Sequence, residues 1–365
     1  MKILHTADLH LDSTMTSNLD AAKAKIRRME LLKSFEAMVS YAENNDIHHI
    51  LIAGDLFDKK VITALCKNIV WQSILSHSDI TFYYLRGNHD DTSFFDDCDE
   101  IPINLKLFND RKWSYYNVAN VNIAGIELGD STPSTYINEL TLNEKDINIV
   151  MLHGQDVSGL KADGEVIPIS NFKNRFIDYM ALGHIHSYRL EELDNRGVYC
   201  YPGCLEGRGF DECGECGFVV IDINEDKHIV TSEFVAFSKR CLHRVEVDVT
   251  GLADSYSIAE RMRNIIDSKD IPEKDLVKCE LVGKMDVDGE KDINFLVNEL
   301  QDDYFLFKIK DRVERVVRIQ DYANDESLKG EFIRVIGADE SLTEEEKAEI
   351  IHLGLRALAN EEVLN

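Results

Sequence analysis

The stretch Ile50-Leu51-Ile52-Ala53-Gly54-Asp55-Leu56-Phe57-Asp58 decides the fold. Four consecutive apolar residues are too few for a packed helix and suit a buried strand. Gly54 ends the run, so the acidic residues emerge in the loop that follows. In open α/β sheets, ligand sites form outside such strand ends. Asp55 carries two oxygens and is therefore able to bridge a pair of cations that a neutral side chain would leave repelling each other. For one isolated occurrence, a plain Gly-Asp turn is the competing reading.

Outward from this stretch the same layout recurs. Residues 2–7 read as a first strand that ends in Asp8-Leu9-His10, and alternation puts Asp8 and His10 on one side of the chain. Such a mixed oxygen and nitrogen pair suits a hard cation. Over residues 23–43, Ile26, Met29, Leu32, Phe35, Met38 and Val39 recur every three to four positions, which predicts an amphipathic helix. Arg27, Arg28 and Lys33 then read as solvated charges on its other faces. A helix over 63–75 leads to a strand at 80–85 that ends in Arg86-Gly87-Asn88-His89-Asp90. Strand-like runs at 122–128 and 147–152 follow, the second ending in His153-Gly154, and 179–182 ends in Gly183-His184-Ile185-His186. A β-α-β opening with a polar cluster at each strand end predicts an α/β fold with one functional edge.

Beyond His186 the pattern changes. Residues 198–202 and 218–223 read as strands of a second sheet around the glycine-rich segment 203–217. Alternating strands at 243–249 and 276–282, a helix near 256–267, a polar helix near 291–300 and a strand near 304–310 describe a small α+β unit. The segment 341–365 opens on Ser341-Leu342-Thr343-Glu344-Glu345-Glu346, a helix start with acidic residues in its first turn. Ile350, Ile351, Leu353, Leu355 and Leu358 give that helix an apolar side. The expected organisation is a large domain over 1–238, a small one over 239–320 and a helical segment over 321–365.

The formal charge is −27, and neither 1–238 (21 basic, 37 acidic) nor 239–365 (19 basic, 30 acidic) is basic. A protein that grips nucleic acid unaided shows a basic face, so contact with a polyanion here has to be local, metal-assisted or shared with a partner. No apolar run approaches the length of a membrane span, and Met1 leads straight into polar residues, so a cytoplasmic protein is expected. The eight cysteines are scattered and read as reduced thiols. Cys200, Cys204, Cys213 and Cys216 offer an alternative, a zinc site, although their spacing is tighter than usual.

In order, Asp8, His10, Asp55, Asp58, Asn88, His89, His153, His184 and His186 reproduce D-x-H, G-D-x-x-D, G-N-H-D, H and G-H-x-H. This series resembles the calcineurin-like metallophosphoesterases, whose fold is a two-sheet α/β sandwich. The resemblance implies a first ion held by Asp8, His10, Asp55 and His186, and a second held by Asp55, Asn88, His153 and His184. Both are divalent; manganese suits the mixed donor set best, with iron, magnesium or zinc as alternatives. His89 is assigned to the leaving oxygen, with Asp58 holding its imidazole in the productive tautomer. Arg86 and Arg208 are candidate phosphate contacts, and for Arg86 a solvated strand-end charge is an equal alternative.

Within that superfamily, 2–12, 54–58, 87–90 and above all Tyr201-Pro202-Gly203-Cys204-Leu205-Glu206-Gly207-Arg208-Gly209-Phe210-Asp211-Glu212 resemble the SbcD-type DNA repair exonucleases in their short Gram-positive form. The resemblance implies a capping domain over 239–320, a C-terminal helix that docks on an SbcC-like coiled-coil ABC ATPase, DNA as substrate and no membrane. A homodimer is left open. The expected function is a metal-dependent DNA exonuclease and endonuclease that uses a two-metal mechanism in DNA repair. The alternatives are hydrolysis of nucleotides or other small phosphoesters, and a binding scaffold that has lost its metals.

Overall fold

A computed structural model describes all residues except 17–18, 59–61, 96–99, 129–132, 157–165, 288, 318 and 359–365. It divides into two compact units, Met1–Cys241 and Leu242–Asn365. The first runs β1 (Lys2–Thr6), α1 (Ala21–Asn44), β2 (His49–Ala53), α2 (Ala64–Ser76), β3 (Thr81–Leu85), β4 (Leu105–Leu107), β5 (Ser114–Val118), β6 (Val121–Gly125), α3 (Pro133–Glu139), β7 (Ile147–His153), β8 (Gln155–Asp156), β9 (Val166–Ile167), β10 (Tyr179–Gly183), β11 (Arg189–Glu192), β12 (Val198–Tyr201), β13 (Gly217–Asn224) and β14 (Ile229–Ala236).

Two six-stranded sheets form its centre, ordered β14-β13-β1-β2-β3-β4 and β11-β12-β10-β7-β6-β5. β1 to β4 are parallel, as are β6, β7, β10 and β12, so all these strands deliver their C-terminal ends to loops on one side of their sheet. The fold is thus mixed α/β with two multi-strand sheets. Alternation along each strand explains the layering. Ile3, Ala7, Leu51, Ala53, Tyr83 and Leu85 face the second sheet and pack on Ile123, Ile149, Met151 and Ala181. Leu4, Ile50, Ile52, Phe82 and Tyr84 face the other way, onto α1 and α2 residues such as Phe35, Met38 and Val70. The outer face of the second sheet carries a third cluster with Tyr136, Phe172 and Met180.

Two expectations change. The runs at 198–202 and 218–223 do not share a sheet: β12 joins the second, whereas β13 pairs antiparallel with β1 in the first. Arg27 is not solvated. It is 1% exposed on α1, while Ile26 is 46% exposed, because buried Glu30 and Glu206 both accept from its guanidinium, at 2.9 and 3.0 Å.

The second unit runs β15 (Leu242–Asp248), α4 (Ser255–Asp267), β16 (Leu276–Val282), β17 (Lys284–Asp286), α5 (Ile293–Asn298), β18 (Leu306–Asp311), β19 (Glu314–Val316), α6 (Leu328–Gly337) and α7 (Glu344–Leu358). β15, β16 and β18 form a parallel sheet. Val245, Val247, Val277, Cys279 and Leu281 pack there with Ile258 and Met262 of α4 and Leu296 of α5. Ile351 of α7 meets Ile333 of α6 and Val287 in a separate small core.

Candidate metal centre

Every candidate ligand stands where a parallel strand runs out: Asp8 and His10 after β1, Asp55 after β2, Asn88 after β3, His153 at the end of β7, and His184 and His186 after β10. Getting them there bends the backbone. Asp8, His10, Asp55 and His184 all have positive φ, at 51°, 43°, 51° and 95°, a region that non-glycine residues enter at a cost and that is concentrated at functional sites. The main chain supports these turns: His10 N–H donates to the Asp55 carbonyl at 2.9 Å, and His184 N–H donates to the Asp8 carboxylate at 2.8 Å. Asp90 accepts from the main-chain N–H groups of Leu56, Phe57 and Gly87 at 2.9–3.2 Å, tying the second strand-end loop to the third.

Two glycines permit the convergence. A β-carbon on Gly87 would lie 2.2 Å from Asp55 Oδ1, and one on Gly54 would enter the His153 ring. Any side chain at either position would displace a ligand.

Among the described residues, three groups bring donor atoms within 4.8 Å of one another: Asp8, His10 and His186; Asp8, Asp55 and His153; and His10, Asp58 and His89. Asp55 Oδ2 lies 3.4 Å from His153 Nε2 within the second group and 3.6 Å from His10 Nε2 of the first. Asn88 Oδ1 is 3.2 Å from His153 Nε2 and 3.3 Å from His184 Nδ1.

The electrostatics ask for positive charge. Burial pushes the Asp8 carboxyl up to about 6, against the pull of His153 and His186. Burial disfavours charge on His153 too, yet Asp55 and Asp8 outweigh it and lift the imidazole to about 10. Asp55 is held well below the usual carboxylate range, because His153 and His10 overcome its burial. Two buried carboxylates thus retain a proton on an imidazole, a charge that a bound cation replaces.

The donor set fits cations on a second count. His186 Nδ1 lies 2.7 Å from Glu212 Oε1. Burial of Glu212 is overcome by His186 and Arg208, which bring its carboxyl down to about 2. An ionised carboxylate only accepts, so neutral His186 keeps its proton on Nδ1 and turns a bare Nε2 towards His10 Nε2, 3.2 Å away. Buried His10 Nδ1 makes no well-formed hydrogen bond, and Asp58 Oδ1 stands 3.4 Å from it. Converging imidazole lone pairs with carboxylate and amide oxygens make the mixed shell that divalent metals take.

A family model, that of the calcineurin-like phosphoesterases, matches residues 1–188, a span containing every one of these candidate ligands. The chain belongs to the calcineurin-like phosphoesterases. Members of this family use a dinuclear metal centre, and the convergent groups above are its candidate ligands here. This phosphoesterase is 25% identical over 266 residues to the uncharacterized metallophosphoesterase YhaO of Bacillus subtilis, a match covering 68% of this chain and 64% of that protein. It is 25% identical over 283 residues to the DNA double-strand break repair protein Mre11 of Aeropyrum pernix, covering 71% of this chain and 66% of the relative. It therefore spans less than two thirds of either relative. A dimetal phosphatase from Danio rerio superposes with a TM-score of 0.39 at 9% identity, over 60% of this chain and 92% of that one.

The remaining sequence expectations for this phosphoesterase divide. The Asp58 carboxylate lies within 4.8 Å of a His89 ring nitrogen, but its close partners are other residues. Its Oδ1 meets Arg208 Nη1 at 2.9 Å and lies 3.4 Å from His10 Nδ1, while His89 Nδ1 faces the Asp58 main-chain carbonyl at 3.3 Å. Arg86 is held by Glu127, which accepts from both its Nε and Nη2, so its guanidinium is committed to an ion pair. Arg208 does join the site. The four cysteines do not assemble: Cys204 and Cys216 approach to 3.5 Å, but Cys213 lies at the Phe210 carbonyl, and no cysteine belongs to a metal-binding group among the described residues. Sequence reasoning missed Glu212 and Asp90, although both stand inside stretches it singled out.

Proposed function

We propose that this phosphoesterase is a nuclease that cleaves DNA phosphodiester bonds with two manganese ions. The observation that carries the reading is the place of Asp55, 3.6 Å from His10 of the group Asp8, His10 and His186, and 3.4 Å from His153, whose ring meets Asn88 as His184 does. The name of the Mre11 relative supports DNA as the substrate class. Asp8, His10, Asp55 and His186 would hold the first ion, and Asp55, Asn88, His153 and His184 the second. When bound, the pair supplies an activated water and neutralises charge on the phosphoryl oxygens.

The chain's own residues do the rest. His89 is exposed beside the ligand cluster. With Nδ1–H on the Asp58 carbonyl, the imidazolium form of His89 would present Nε2–H to the leaving oxygen, as proton donor or hydrogen-bond donor. The main-chain N–H of His89 donates to Asp55 Oδ1 at 3.0 Å, so the leaving-group residue and the shared carboxylate move together. The acidic balance supports a partner that brings its own DNA surface. A coiled-coil ABC ATPase is the partner we propose, with α7 as its docking element and the sheet unit that begins at β15 as a cap that orients DNA.

Hydrolysis of small phosphoesters is the second reading, favoured by the same donor set, which does not distinguish between phosphodiesters. The test incubates the manganese-loaded protein with single-stranded and duplex oligonucleotides beside cyclic nucleotides and a chromogenic phosphodiester. Shortening of the oligonucleotides is the expected result. Turnover of the small substrates alone would refute the nuclease reading.

A further inference from the structure

The first-ion histidines, His10 and His186, come from opposite sheets, yet one side chain stands behind both. Arg208 Nη1 donates to Asp58 Oδ1 at 2.9 Å, and its Nη2 donates to Glu212 Oε1 at 2.8 Å while lying 3.2 Å from His186 Nδ1. Its main-chain N–H donates to the other Glu212 oxygen at 2.6 Å. Glu212 in turn receives His186 Nδ1 at 2.7 Å, and Asp58 lies 3.4 Å from His10 Nδ1. The two imidazoles then present their Nε2 atoms to each other.

We propose that Arg208 is a positioning residue that clamps Asp58 to Glu212 and thereby selectively sets the affinity of the first metal ion. The inference rests on the dinuclear reading of the site and reassigns Arg208 from the phosphate contact suggested by the sequence. Arginine suits the task because its planar fork spaces two donors at a fixed distance, whereas a lysine ammonium reaches one carboxylate at a time. The Arg208 side chain is 17% exposed, that of Asp58 20% and that of Glu212 5%, so all three are largely withdrawn from solvent and the guanidinium is the main charge between the two anions. Without the guanidinium, the carboxylates repel each other and one swings away. His10 then loses the anion beside its Nδ1, or His186 loses the hydrogen bond that fixes its tautomer and ring orientation. Losing such an outer partner costs about 10–100-fold in metal affinity. Among the described residues no hydrogen bond or ion pair joins Asn88, His153 or His184 to Arg208, Asp58 or Glu212, so the second ion keeps its affinity.

The test titrates Mn2+ into the metal-stripped full chain by isothermal calorimetry, with free Mn2+ followed by electron paramagnetic resonance. Wild type, Arg208→Met, Arg208→Lys and Glu212→Gln are compared, with circular dichroism run on each. The expected result is two ions in wild type, and in both Arg208 variants one ion of unchanged affinity and one weakened about 10–100-fold. Glu212→Gln should weaken the same ion, and guanidinium ion added at millimolar concentration should restore part of the affinity in Arg208→Met but not in Glu212→Gln. Two ions of wild-type affinity in Arg208→Met would overturn the clamp and leave the dinuclear reading intact. Equal weakening of both ions in a folded variant would overturn its selectivity. A wild type that takes up no Mn2+ would instead overturn the dinuclear reading.

Discussion

A β-carbon built on Gly54 would lie 2.0 Å from Nδ1 of His153. That ring nitrogen is already engaged at 2.9 Å with the Ala53 carbonyl, so the imidazole has no room to retreat. Gly54 also has a φ of +93°. Gly54→Ala should therefore combine overpacking with left-handed strain and destabilise the protein by about 3 kcal/mol. The loss should appear in a urea denaturation curve together with loss of phosphodiesterase activity. A variant of wild-type stability would show that the His153 loop yields.

His89 and Asp55 should separate cleanly under mutation. His89→Ala keeps the main-chain N–H that Asp55 accepts, so both metals should stay bound while kcat falls about 10²–10³-fold. Asp55→Ala removes the carboxylate shared by both donor groups and should lose metal as well as turnover. Elemental analysis of the purified variants checks both, and equal metal loss would undo the role given to His89.

Arg27 anchors a buried ion network in the first unit. It donates to Glu30, to Glu206 and to the Gly207 carbonyl at 2.9–3.0 Å. Ser34 Oγ and the Lys239 main-chain N–H also donate to Glu206, and Arg240 pairs with Glu30. Arg27→Met would leave Glu206 buried without its counter-ion, at a cost of about 3–5 kcal/mol. Adding Glu206→Gln should recover part of that loss, read as the coupling term of a double-mutant cycle. Additive losses would mean that the pair is not coupled.

His5 predicts acid sensitivity. It is fully buried between the sheets with Nδ1 3.0 Å from the Tyr179 hydroxyl, and burial lowers its pKa to about 3 from an ordinary 6.5. Between those values the unfolded chain holds a proton on this residue that the folded chain does not. The His5 contribution is therefore complete above pH 6.5 and declines as pH falls towards 3, by up to roughly 1.4 kcal/mol per pH unit. Urea midpoints measured across that window should fall less steeply for His5→Leu than for wild type. Parallel curves would refute the assignment.

What the sequence made legible was local. The strand ends that carry Asp8, Asp55, Asn88, His153 and His184 follow from short apolar runs broken by glycine or a polar cluster, and the structure brings those residues together. Partners chosen across the fold were not legible. Glu127 captures Arg86 from the end of β6, and Arg208 reaches Asp58 across 150 positions of chain. Neither follows from period or spacing, because each depends on which strands become neighbours. The α1 helix teaches the same lesson. Its period was plain, but a buried arginine at Arg27 only makes sense once Glu206 is known to lie against it.

β1 has a consequence for synthesis. It lies inside its sheet, hydrogen-bonded on one side to β2 and on the other to β13, which is made more than two hundred residues later. A nascent chain on the ribosome would hold Asp8 and His10 long before His184, His186 or Glu212 existed to meet them. The growing polypeptide should thus stay hydrolytically silent until the strand that closes over its own first residues has emerged from the exit tunnel.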